Sequence, residues 1–120
     1  MTALLVILGG SAGSVARWST DRAVSARHTT GLPWGTFIIN LVGSFVLGLV
    51  LGARLGPSWA VLLGTGFCGA FTTFSTFAFE AVRLSETGRR LAAVLYVGGS
   101  LAFGLALVTL GWWLGEALHG

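Results

Sequence analysis

Between Gly64 and Glu80 the chain reads GTGFCGAFTTFSTFAFE, which sets five phenylalanines beside five hydroxyls (Thr65, Thr72, Thr73, Ser75 and Thr76). Hydroxyls both donate and accept hydrogen bonds. Aromatic rings present a negative face and a positive edge. Two uses compete for such a run: packing between helices, or a path for a species that lipid excludes. On the packing reading, Phe67, Phe71 and Phe74 fall at i, i+4 and i+7, one face of a helix, and would pack there with no further role. Phe77 and Phe79 lie off that stripe. Four hydroxyls in the five residues from Thr72 to Thr76 also make a poor regular helix, because threonine is β-branched and hydroxyls compete for backbone bonds. A helix broken here frees carbonyls, which the bilayer tolerates only where they are buried in protein, line a cavity or bind an ion.

Bond-making chemistry is not legible. No pair of carboxylates lies in an apolar stretch, no His/Cys constellation suits a metal, and no nucleophile has a base nearby. His28 and His119 fall in a loop and at the C-terminal end. Cys68 has no second cysteine to pair with and sits in an apolar run, where it reads as a small hydrophobe. An enzyme is not expected.

The elements that carry these residues follow from composition. The 120 residues are 54% hydrophobic and 9% charged, with mean hydropathy +0.85, whereas soluble domains carry roughly 25% charged residues. One integral membrane domain, residues 1–120, is the expected class. Spanning the hydrocarbon takes about 20 apolar residues as a helix. Four candidates are present, over about 2–26 (apolar from Thr2 to Trp18), 33–53, 58–82 and 91–114. Gly31 and Pro33 punctuate the first connection, Gly56 and Pro57 the second, and LSETGRR the third. Trp18, Trp34, Trp59, Trp112 and Trp113 fall near the helix ends, as an interfacial aromatic belt does. AVSA at 23–26 loosely resembles a signal cleavage site, but no basic residue precedes the apolar run, and the first segment reads as a retained helix. Gly9/Gly13, Gly48/Gly52 and Gly111/Gly115 repeat the small-xxx-small spacing that lets helices approach closely in lipid.

All seven basic residues are arginines, scattered rather than clustered as a nucleic-acid footprint would be. With four crossings, Arg17, Arg22, Arg27, Arg83, Arg89 and Arg90 share one side and Arg54 stands alone on the side of the termini. The positive-inside rule then puts both termini outside. At membrane depth the polar residues are Asn40, Thr72, Thr73, Ser75, Thr76, Tyr96, Ser100 and Thr109, with Arg17 and Glu80 toward the arginine-rich side. Such groups are functional candidates. Any single Ser or Thr can instead bond its own helix backbone. The Asn40 amide needs partners beyond its own backbone, and glue between helices and a donor on a path both fit it.

GGSAGSVARW near the start, GTFIINLVGSF in the second helix and GFCGAFTTFSTF in the third resemble the signatures of the Fluc/CrcB family of small fluoride channels, in order and over nearly the whole chain. The resemblance implies four-helix subunits in an antiparallel, dual-topology dimer, with two fluoride pathways along the interface. It implies a third helix broken at its middle, whose Gly69 and Thr72 carbonyls hold a central structural sodium ion. Phe74 and Phe77 match the phenylalanines of the pathway, Asn40 matches its asparagine, and Ser75 and Thr76 fall in its hydroxyl-bearing part. Fluoride leaves the cell passively through such a channel in the plasma membrane, with no ATP site required. Two positions depart from the pattern: Ala70 stands where many members have glycine, and Gly104 where related chains often carry serine. The six-to-one arginine bias fits a chain with one fixed orientation, hence one half of a heterodimer with a paralogous subunit. The other readings are a non-transporting membrane subunit and a small multidrug exporter. The exporter needs a buried carboxylate in its first helix, and Thr2 to Ala16 has none.

Overall fold

The computed structural model describes residues 1–25, 33–72 and 74–119, and every regular element among them is helical. Helix α1 spans Thr2–Ser25, α2 Trp34–Ala53 and α3 Pro57–Trp59. A π-helical stretch, Ala60–Cys68, continues α3 into α4, Gly69–Phe71. Helix α5 is Phe74–Glu86 and α6 is Arg90–His119. Ala26, Arg27, His28, Gly31 and Thr73 lie outside the described residues, as do the side chains of Ser75 and His119.

Among the described residues three helical runs are long and apolar enough to cross a membrane: Trp34–Ala53, Pro57–Glu86 and Arg90–Leu118. Four such runs were expected. With 24 residues α1 has the length but not the composition, because Arg17, Asp21 and Arg22 fall in its second half.

The ends of the helices have local causes. Pro33 precedes α2, and its carbonyl accepts the Phe37 N–H at 3.1 Å. Arg54 closes α2 in the left-handed region (φ 52°). Gly56, at φ 102°, makes the turn that non-glycine residues resist, and Pro57 opens α3 at a position where its missing N–H costs nothing. After α5 the chain turns through Gly88 (φ 84°). The Gly88 N–H donates to the Ser85 carbonyl at 3.2 Å and the Arg89 N–H to the Leu84 carbonyl at 2.9 Å. This is the Schellman pair, which satisfies carbonyls that the helix end leaves bare.

Two glycine seams hold the bundle. Along α2 and α6, a β-carbon at Gly48 would run into the Val108 carbonyl, at Gly52 into the Trp112 carbonyl, at Gly111 into the Phe45 carbonyl, and at Gly115 into Ala53 N at 2.8 Å. Helix α1 lies on the π-helical stretch in the same manner: Gly9 faces Leu62 and Phe67 backbone, Gly13 faces the Phe67 carbonyl, and the space for a Gly66 β-carbon ends 3.1 Å from the Gly9 Cα. Lipid tails are as apolar as leucine, so helices in a bilayer associate through such packing rather than through the hydrophobic effect. Large apolar side chains point outward instead. Leu101, Phe103, Leu105 and Leu118 on α6 are all exposed. The largest buried apolar cluster is small and joins Leu84 of α5 to Ala93 and Tyr96 of α6, with Phe37 and Phe77 against it.

Candidate functional site

The backbone changes character between Cys68 and Phe74. The Gly69 N–H is shared between the carbonyls of Gly64, five residues back, and Gly66, three back. Single π turns recur at functional sites. Three residues later Thr72 is extended (φ −80°, ψ 161°), and helix is regained at Phe74. A ψ of 161° turns the Thr72 carbonyl away from the axial direction it has in a helix. Its N–H (3.0 Å) and Oγ1 (2.7 Å) both donate to the Cys68 carbonyl. The Thr72 methyl sits where a β-carbon on Gly43 would be, so glycine on α2 is what admits this bend.

Asn40, Gly43, Ser44 and Leu47 of α2 line a cavity of about 280 Å³ together with Gly64, Cys68, Gly69 and Thr72. Three of the sequence candidates, Asn40, Gly69 and Thr72, therefore meet. Gly69 is exposed, with open space where its side chain would be. Ser44 Oγ donates to the Asn40 carbonyl at 2.8 Å, the bond a helical serine makes with its own backbone. A β-carbon on Gly104 would lie 3.5 Å from the same Ser44 Oγ.

The phenylalanines divide. Phe67 and Phe71 stack with centroids 5.7 Å apart, as the helical stripe requires, but Phe74 leaves it, because the extended Thr72 re-aims everything that follows. Phe74, 80% exposed, lies 6.2 Å from Phe77 at 45°. Phe77 lies 5.0 Å from Tyr96, tilted by 41°, and Tyr96 lies 6.5 Å from Phe37. Tilted pairs of this kind turn ring edges toward neighbours. The Tyr96 hydroxyl, and that of Ser100 one turn further along α6, are buried and make no hydrogen bond of good geometry among the described residues. A bare buried hydroxyl costs about 1–3 kcal/mol, so two on adjacent turns of α6 call for an explanation.

Thr76 is not beside Asn40 in that cavity. It lines a smaller one of about 210 Å³ with Arg17, Trp18, Asp21, Thr36 and Ile39. Thr36 is buried and donates from Oγ1 to Glu80 Oε1 at 2.5 Å. Sequence reasoning missed Thr36, Gly43, Ser44 and Phe37. The first three were findable, since Thr36, Asn40, Gly43, Ser44 and Leu47 recur at helical spacing on one face of α2.

Comparison with known proteins places the chain in a family. A family model described as "CrcB-like protein, Camphor Resistance (CrcB)" matches residues 4–112. A protein of Frankia casuarinae named fluoride-specific ion channel FluC 1 is 46% identical over 129 residues, covering all of both chains. One of the same name from Streptomyces avermitilis is 47% identical, covering 98% of each. A fluoride-specific ion channel FluC 2 from Natronomonas pharaonis is 48% identical, covering 98% of this chain and 97% of its own. Likeness of this depth, reaching from the first helix into the last, makes the chain a member of the CrcB family.

Proposed function

We propose that this chain is a fluoride-selective channel that lets fluoride leave the cell down its gradient. Its full-length relatives are named as channels for that ion, and it is a channel rather than an enzyme. The structural observation that carries the reading is the pair of buried hydroxyls of Tyr96 and Ser100, one turn apart on α6 and without a hydrogen bond of good geometry, with Tyr96 against the tilted Phe77 ring. Fluoride is small and strongly hydrated. A pore for it replaces water with hydroxyl and amide donors and meets the anion with ring edges. Phe74 and Phe77 supply the edges, and Asn40, Ser75 and Thr76 supply donors.

The same reading makes α1 the fourth crossing, held against a membrane-spanning run by Gly9 and Gly13. It makes the bend at Thr72 a broken third helix at the centre of an antiparallel dimer. There a sodium ion offsets the cost of an anion at membrane depth. Gly69 and Thr72 line one polar cavity, and the Thr72 carbonyl is turned out of the helical direction, so the donor set fits a hard cation held by carbonyls. The exposure of Phe74 and Gly69 suits a surface that a second subunit completes. The setting is the plasma membrane.

A heterodimer is the second reading, favoured by the arginine bias. Arg54, the lone arginine of the terminal side, pairs with Glu116 at 3.3 Å. A tag on the C-terminus decides orientation: labelling from one side alone supports a fixed orientation and a paralogous partner, and equal labelling from both sides defeats it.

Flux is tested in liposomes loaded with potassium fluoride, with valinomycin added and an external fluoride electrode. Fast fluoride release with negligible chloride release is expected, abolished by Asn40→Leu in protein that still assembles. Loss of assembly in that variant, with flux proportional to the remaining oligomer, would mean that Asn40 is helix glue instead.

A further inference from the structure

Toward the arginine-rich end of α2 stands a carboxylate to which the proposed pathway gives no role. Arg17 and Asp21, one turn apart on α1, line the cavity of about 210 Å³ that also holds Trp18, Thr36, Ile39 and Thr76. Thr36 and Ile39 are buried and form its floor, Arg17 is half-buried, and Asp21 and Thr76 are exposed, so the cavity opens on the side where Asp21 stands. Thr36 is one helical turn from Asn40, which lines the larger polar cavity, so the two cavities follow one another along α2. With Thr76 as a donor on the path, the smaller cavity is the entrance to it from the arginine-rich side.

Asp21 is poorly placed on its own helix. It falls in the last five residues of α1, toward the negative end where a carboxylate is disfavoured, and Arg17 precedes it in the less favourable order for a pair four residues apart. Its seat is on α2 instead. A β-carbon on Gly35 would run into Asp21 Oδ1 and lie 3.2 Å from its Cγ. Gly35 belongs to the first turn of α2, which has no acidic residue of its own and no side-chain cap. Glycine at this position lets the carboxylate come close to the positive end of that helix.

The attractions that hold Asp21 are those a passing anion would feel. Arg17 supplies the guanidinium of the lining, and Asp21 offsets it. Arg22, next along the chain, is turned over the Trp18 ring, 4.9 Å from its centroid. Glu80 adds a further carboxylate behind the floor, where it accepts the Thr36 hydroxyl. A cleft lined by one sign of charge concentrates ions of the other sign. With Asp21 in place the lining is neutral, and without it the lining carries one positive charge.

We infer, on the reading of this chain as a fluoride channel, that Asp21 is a tethered competitor at the entrance. Its carboxylate takes up the attraction of Arg17 and of the first turn of α2 that would otherwise draw fluoride in, and so limits the rate of entry. A cap across the contact of α1 with α2 is the purely structural use of the same carboxylate. The two uses differ in what they do to the current through a single channel.

The test is unitary fluoride current in planar bilayers, which does not depend on how much of a variant folds. Asp21→Asn keeps the shape of the side chain and removes its charge. In about 10 mM salt, where charges act over roughly 30 Å, its current should exceed that of the parent on the order of five-fold, the effect of one unit charge at contact distance in water. In about 1 M salt, where that range falls to roughly 3 Å, the two currents should converge. Gly35→Ala keeps the charge but puts a methyl group where Oδ1 lies, and should raise the low-salt current by less. The proposal is overturned if the low-salt current of either variant fails to rise, and the carboxylate is then only a cap on α2. A rise in Asp21→Asn that persists at the higher salt overturns it as well, because shape and not charge would be responsible. No fluoride current from the parent at either salt refutes the channel reading itself, and the proposal with it.

Discussion

Replacing Gly48 by alanine tests the close packing on which the bundle rests. A β-carbon there would run into the Val108 carbonyl and lie 2.9 Å from the Trp112 nitrogen. Both neighbours are backbone, so no rotamer change relieves the collision. Alanine is worth about 1 kcal/mol over glycine in a helix interior, and overpacking costs about 1–3 kcal/mol, so the clash should win. Gly98→Ala is the internal control. Gly98 lies in α6 with nothing within 4 Å of its β-carbon position. The propensity gain is common to both variants and cancels in their difference. That leaves the overpacking cost itself, toward the upper end of its range, about 2–3 kcal/mol, because Gly52, Gly111 and Gly115 share the seam and must move together. Equilibrium unfolding in mixed micelles measures it. Gly98→Ala should be as stable as the parent or slightly more so, and Gly48→Ala clearly less. Equal stabilities would mean that α2 and α6 are not in backbone contact at Gly48, and the seam would have to be abandoned.

Thr36→Val should destabilise by about 1.5–3 kcal/mol, the worth of a hydrogen bond to a charged group, and Thr36→Ser should restore most of it in the same unfolding assay. Gly104→Ser should leave stability within about 0.5 kcal/mol, because its β-carbon meets Ser44 Oγ at an ordinary 3.5 Å. It adds a hydroxyl one turn from Ser100, and fluoride flux should hold or rise; a fall with the fold intact would remove α6 hydroxyls from the pathway.

The helical class and the apolar runs were legible because they rest on composition and length, which need no tertiary information. The family was legible in three motifs on three helices. The Thr36–Glu80 hydrogen bond was not, because it joins residues 44 apart in sequence through the packing of two helices. The ring cluster of Phe37, Phe77 and Tyr96 draws one residue from each of three helices, a relation that spacing along any one of them does not encode. Periodicity failed at Phe74 for a specific reason: it assumes unbroken helix, and the extended Thr72 resets the phase. The glycine pairs had the opposite history. Their spacing is common and weak evidence in a sequence, and the structure turns each into a named backbone contact.

These facts bear on why an irregular backbone survives in the middle of so apolar a chain. Non-helical backbone at membrane depth is tolerated only where protein covers it or a cavity receives it. The chain meets both conditions with residues of α2. Gly43 leaves room for the Thr72 methyl, and Asn40 and Ser44, one turn apart, give the cavity polar walls. Gly43→Ala therefore separates folding from conduction. Its β-carbon collides with the Thr72 side chain, whose β-branched χ1 has few alternatives. The Thr72 hydroxyl is held by its bond to the Cys68 carbonyl. The strain must pass into the bend between Cys68 and Phe74, while the α2–α6 seam, formed by other glycines, is untouched. Assembly by size-exclusion should stay near that of the parent, and fluoride flux should drop several-fold. If flux is unchanged in protein that assembles normally, the bend at Thr72 is not part of the conducting path, and the path must be sought along Phe77, Tyr96 and Ser100 alone.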